Sequence, residues 1–155
     1  MEGEAMSRVA LFYFFVILLG VGLDVHLAMN SVVGGVLRNP RVGNALFWCI
    51  GAFAALLIGL TKWNKGALDG LKTVNPILLT AGVLGACLVF AIVWLLPQVG
   101  ARAMFLNLLD GQVLGGMVLS HYGWLGSPIE RISFVNLLGA GVMILGAFLA
   151  TYVHP

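Results

Sequence analysis

Residues 9–34 read VALFYFFVILLGVGLDVHLAMNSVVG, an apolar run whose second half carries Asp24, His26 and Asn30. The hydrocarbon core of a bilayer takes about 20 helical residues to cross, so this run spans a membrane with length left over for tilt. A water-soluble helix keeps one face polar, and the first half of this run has no polar face to offer. The rest of the chain agrees. Of its 155 residues 61% are hydrophobic and 9% charged, and the mean hydropathy is +1.04. Soluble domains carry about 25% charged residues, so a soluble fold is excluded.

Four more apolar spans follow, at about 43–60, 76–96, 101–120 and 128–152. The expected fold is an all-α integral membrane protein of five transmembrane helices, one membrane domain over residues 1–155, with its termini on opposite sides. Three starts share a signature, Asn39-Pro40, Asn75-Pro76 and Ser127-Pro128, in which the polar residue caps and proline takes the first helical position. Glu130, three residues after Ser127, completes a capping box in sequence. Pro97 is read as the end of the third span. Glycines 82, 85, 111, 115, 116, 139, 141 and 146 offer flat faces for close helix packing. Aromatic residues cluster near span ends, Phe12 to Phe15, Trp48, Trp63, Trp94, Tyr122, Trp124 and Tyr152, and most of these read as interfacial anchors. Glu2 and Glu4 are not the basic start of a signal peptide, so the first span is expected to stay in the mature protein, with Met1 or Met6 as its start.

Eight Lys/Arg against six Asp/Glu give a net charge of +2, scattered too thinly to track a nucleic-acid backbone. Arg8, Lys62, Lys65, Lys72 and Arg131 fall on the N-terminal side, and Arg38, Arg41 and Arg102 on the other. That bias favours a cytoplasmic N-terminus in a cell membrane, and it is small enough to permit insertion both ways round. Cys49 and Cys87 lie in apolar segments without metal-ligand spacing and read as small buried hydrophobes. There is no nucleophile motif, zinc spacing or phosphate loop, so neither catalytic residues, a metal nor a cofactor is expected.

Function therefore rests on the polar groups inside the spans. A carboxylate at mid-span is costly unless it is protonated, paired or facing water, which makes Asp24 a candidate for proton or substrate coupling. A static pair with Arg38 or Arg102 is the competing role. Asn30 follows His26 by one helical turn, whereas Asp24 lies about 200° round from His26. His26 is a secondary candidate, with packing as its competing role. Asp110, with Asn107 one turn earlier and Gln112 close by, is the second polar cluster, expected to line a water-accessible surface. His121 sits where a helix C-terminus also favours an imidazole.

The chain resembles the half-length, five-helix proteins of the drug/metabolite transporter (EamA-like) superfamily. The resemblance is carried by Asn30 followed by a short basic turn and Asn39-Pro40 to Ala45, by Gly82 to Ala86, and by Pro97 to Ala101. It continues through Gly111-Gln112, then His121-Tyr122-Gly123-Trp124-Leu125-Gly126, Pro128 and Leu137-Leu138-Gly139. The first helix departs from the family pattern, reading Gly22-Leu23-Asp24-Val25-His26 in place of a proline and a glutamine, and Asn136 stands where an arginine is expected. Full-length members have ten helices in two five-helix repeats of opposite topology, so the resemblance implies half of such a fold. It implies as partner a second five-helix half, a copy or an inverted relative, antiparallel in the lipid bilayer. A midplane site between rocking halves would carry a small organic solute. The expected function is such a half-size transporter; the competing expectation is a non-transporting subunit that stabilises a larger membrane complex.

Overall fold

The computed structural model describes residues 2–153, and helices account for most of them. Five helical stretches are long and apolar enough to cross a membrane: Ala10–Val36, Pro40–Leu60, Pro76–Val99, Ala101–Tyr122 and Phe134–Tyr152. Met1 and the side chains of Arg8 and Lys65, which enter the charge bias, lie outside the described residues. The chain folds as two units, Met1–Pro97 and Gln98–Pro155.

In the first unit, helix α1 (Glu2–Val36) stops because Arg38 turns left-handed, with φ of 50°. The N–H of Asn39 then donates to the Gly34 carbonyl and that of Arg38 to Gly35, both at 3.0 Å, which satisfies the last carbonyls of the helix. Asn39 at once caps α2 (Pro40–Leu60): its Oδ1 accepts from the N–H groups of Arg41 at 3.1 Å and Val42 at 3.3 Å. Proline at the first helical position has no N–H left to satisfy. So tight a turn folds α2 back along α1, and the two backbones meet at glycines. A Cβ on Gly43 would stand 2.8 Å from the Cα of Gly34, so neither helix can carry a side chain there without parting.

After α3 (Lys65–Gly70) and a 3-10 turn, Asn75 caps α4 (Pro76–Leu79) by accepting from the N–H of Ile77 at 3.0 Å. The span breaks at Thr80, whose hydroxyl donates back to the Ile77 carbonyl at 2.6 Å, and resumes as α5 (Ala81–Val99). Pro97 does not end this helix, which runs on to Val99. The N–H that Pro97 lacks would have bonded the carbonyl of Val93, and that carbonyl instead accepts the hydroxyl of Ser31 at 3.2 Å. A missing helix bond thus becomes a clamp between α1 and α5. The Asn44 amide on the Ala86 carbonyl, at 3.4 Å, clamps α2 to α5 in the same way. Trp48, grouped in sequence with the interfacial anchors, in fact packs at mid-helix over Gly85, 3.5 Å from where its Cβ would be.

In the second unit, α6 (Ala101–Tyr122) starts after Gly100, at φ of 81°, and ends on left-handed Gly123. The Ser127 capping box does not form, and the last helix starts at Phe134 rather than Pro128. The end of α6 competes for the groups that would have capped it: the Ser127 hydroxyl bonds that of Ser120 at 3.1 Å, and the N–H of Glu130 donates to the Ser120 carbonyl at 3.0 Å. α7 (Phe134–Tyr152) is capped instead by Ser133 with Asn136, each side chain accepting from the other's backbone N–H. Asn136, which departs from the family pattern, is therefore part of the cap that starts α7. Ala140, Ala147 and Thr151 share one face of α7 and are buried.

Most of the glycines read as packing faces have no neighbour among the described residues of their own unit. At Gly82, Gly111, Gly115, Gly116, Gly139, Gly141 and Gly146 an added Cβ would meet nothing within 4 Å. Close approach is made by Gly34 and Gly43, which the sequence reading left out. Cys49 and Cys87 are free, and both are exposed rather than buried.

Candidate functional site

The polar residues of α1 divide between two faces. His26 and Asn30, one turn apart, line a groove of about 200 Å³ with Val33 from α1 and Gly43, Phe47 and Ile50 from α2. The turn at residues 37–39 and the glycine contact at Gly34 and Gly43 fix its width. His26 stacks on Phe47 with ring centres 5.3 Å apart, and its Nδ1 lies 2.7 Å from the Leu23 carbonyl. A carbonyl only accepts, so Nδ1 carries a proton and donates it there. Asn30 is 3% exposed, and neither its amide nitrogen nor its oxygen has a hydrogen-bond partner among the described residues. An amide buried without partners costs free energy of the order of 1–3 kcal/mol, which a hydrogen-bonding guest or water would recover.

Asp24 is outside this groove, on the other side of α1, half-buried. It makes no hydrogen bond to the described residues, whose one ion pair joins Lys72 to Asp69 at 3.5 Å. The static pair with Arg38 does not form.

In the second unit, Asp110 lies on a half-buried stripe of α6 with Ala103, Leu106, Val113 and Met117, spaced three and four apart. It too has no hydrogen-bond or ion-pair partner among the described residues. The expected convergence with its neighbours does not occur. Asn107 is exposed and its amide donates to the Ala103 carbonyl of its own helix at 2.8 Å. Gln112 is exposed and, two residues on, points about 200° away from Asp110. His121 accepts the N–H of Ile132 on Nδ1 at 3.1 Å, which puts its proton on Nε2 and ties the connection before α7 to the end of α6. Geometry gives it a fastening role.

Three buried polar atoms lie outside the candidate site residues named from sequence, none with a hydrogen-bond partner among the described residues: the Asn44 Oδ1 and the Trp48 Nε1, one turn apart on α2, and the Thr151 Oγ1 on α7. A polar residue inside an apolar span was the available signal for Asn44. Among the described residues no group of His, Cys, Asp and Glu is placed to hold a metal ion.

The family model described as "Putative inner membrane exporter, YdcZ", of the drug/metabolite transporter superfamily, matches residues 11–149. The chain belongs to that family. It is 29% identical over 147 residues to the inner membrane protein YdcZ of Escherichia coli (strain K12), covering 87% of this chain and 91% of that protein. No solved structure matches it. Membership makes the chain a multi-pass membrane transporter of this superfamily rather than an enzyme, and its five apolar helices are one half of the superfamily's inverted-repeat fold.

Proposed function

We propose that this chain is half of a transporter that moves a small organic solute, cationic or zwitterionic, by alternating access, with Asp24 and Asp110 holding either a proton or the solute's cationic head. The observation that carries this reading is that each unit presents one half-buried carboxylate at mid-span with neither an ion pair nor a hydrogen bond from the described residues. In low dielectric such a group attracts a cation strongly, and protonating it lets the cation go. That couples opposite movements of proton and solute, and export fits the description of the family. Asn30 and His26 supply hydrogen-bonding groups beside an apolar wall, suited to the less polar part of such a solute. The second half is a copy or an inverted relative, and the bare glycine faces of α6 and α7 support its presence.

The test is flux. Purified chain in proteoliposomes carrying a pH-sensitive dye, offered a panel of organic cations and zwitterions, should show saturable movement of at least one solute that dissipates an imposed pH gradient. No flux for any member of the panel, with the protein inserted and folded, refutes the proposal and favours a subunit that only stabilises a complex.

A further inference from the structure

A cavity of about 530 Å³ opens where the start of α6 meets the end of α7, lined by Gly100, Arg102 and Ala103 on one side and Thr151 and Tyr152 on the other. Three features of it converge on one chemistry. First, α6 is long, and its N-terminus has no side-chain cap, because the capping position is Gly100. Its first-turn N–H groups and the positive end of the helix dipole are open to an acceptor. Second, among the described residues Arg102 is the one charged residue lining the cavity, and no carboxylate side chain lines it. Third, Thr151 lines it from α7, is 8% exposed, and its Oγ1 has no hydrogen-bond partner among the described residues. A buried hydroxyl left unbonded is a cost that a ligand oxygen would remove.

We propose that this cavity binds a phosphate group, held by the Arg102 guanidinium, the free N–H groups at the start of α6 and the Thr151 hydroxyl. The guanidinium fork matches phosphate oxygens two at a time, and a helix N-terminus supplies the fixed donors beside it. The site lies at the ends of two membrane-spanning helices, at the depth where phospholipid headgroups sit. Neither Asp24 nor Asp110 is among its lining residues, and it does not depend on the transport reading.

The experiment is native mass spectrometry of the full chain released from detergent with phosphatidylglycerol, with diacylglycerol of the same acyl chains, or with phosphatidylglycerol plus excess inorganic phosphate. Wild type should retain phosphatidylglycerol and not diacylglycerol. Arg102→Gln should bind it about tenfold more weakly, and Thr151→Val, which keeps shape and loses the hydroxyl, several-fold more weakly, roughly the effect of removing one charged and one neutral hydrogen bond. Arg102 is exposed, so its variant should fold, and an unchanged melting temperature for both variants checks this. Displacement by inorganic phosphate, lost in Arg102→Gln, assigns the site to a soluble phosphate; resistance to it assigns the site to the lipid. Retention of phosphatidylglycerol equal in wild type and both variants, or retention of diacylglycerol as good as that of the phospholipid, overturns the proposal.

Discussion

Asp24→Asn and Asp110→Asn are each expected to abolish proton-driven flux in proteoliposomes, while the protein still inserts, folds and purifies at wild-type level. Amide and protonated acid have nearly the same shape, and neither carboxylate has a partner among the described residues that the change would orphan. What is lost is charge. At an effective dielectric constant of about 20, a carboxylate and a cation about 4 Å apart attract by about 4 kcal/mol, and losing that attraction weakens binding by about a thousandfold. Asp69 is the control: it is exposed and paired with Lys72, and Asp69→Asn should change flux by less than about twofold. Loss of flux together with loss of protein would instead assign Asp24 and Asp110 to holding the bundle together. Full flux in both variants would remove the coupling mechanism.

Gly43→Ala is expected to be the most damaging small substitution in the first unit. Its methyl would stand 2.8 Å from the Gly34 Cα, a backbone atom that cannot rotate away, so α2 must separate from α1. Overpacking of this kind costs about 1–3 kcal/mol, a large share of the stability of a small fold. Gly51→Ala, eight residues along the same helix with nothing within 4 Å, should be neutral or raise stability by up to about 1 kcal/mol. Thermal unfolding in detergent separates the two. His26, Asn30 and Phe47 line the groove beside this contact, so Gly43→Ala should also lower solute affinity in whatever protein remains folded.

Sequence made the five spans legible because a run such as residues 9–34 has only one stable environment. Local caps were legible where nothing else claimed their groups, as at Asn39 and Asn75. Ser127 misled because a capping box is a local pattern, while the groups that decided the matter are the hydroxyl and carbonyl of Ser120, seven residues before Ser127 and ten before Glu130. Pro97 misled for a similar reason: the carbonyl it left unbonded found Ser31, far off in the chain. Cys49 and Cys87 were read as buried because they are apolar. In lipid the outward face of a helix is apolar too, so hydrophobicity no longer tells inside from outside. At the candidate site the spacing of Asp24, His26 and Asn30 was enough to divide the faces of α1. The groove itself was not visible, since its other wall, Gly43 and Phe47, is set by a turn whose geometry depends on a left-handed Arg38. Gln112 was grouped with Asp110 by nearness along the chain, and helical rotation separates them.

Under the proposed function this five-helix chain works as one half of an inverted pair. A version with Cys49 and Cys87 replaced by alanine and one cysteine introduced at Thr61, in the exposed turn after α2, can be labelled in intact cells with a membrane-impermeant maleimide and then cross-linked. Cross-linked pairs should then hold two halves of opposite orientation, Thr61 reaching the outer reagent in one member and the inverted partner facing the other way. Pairs that label only from the same side, or a chain that is never captured with an oppositely oriented half, would contradict it.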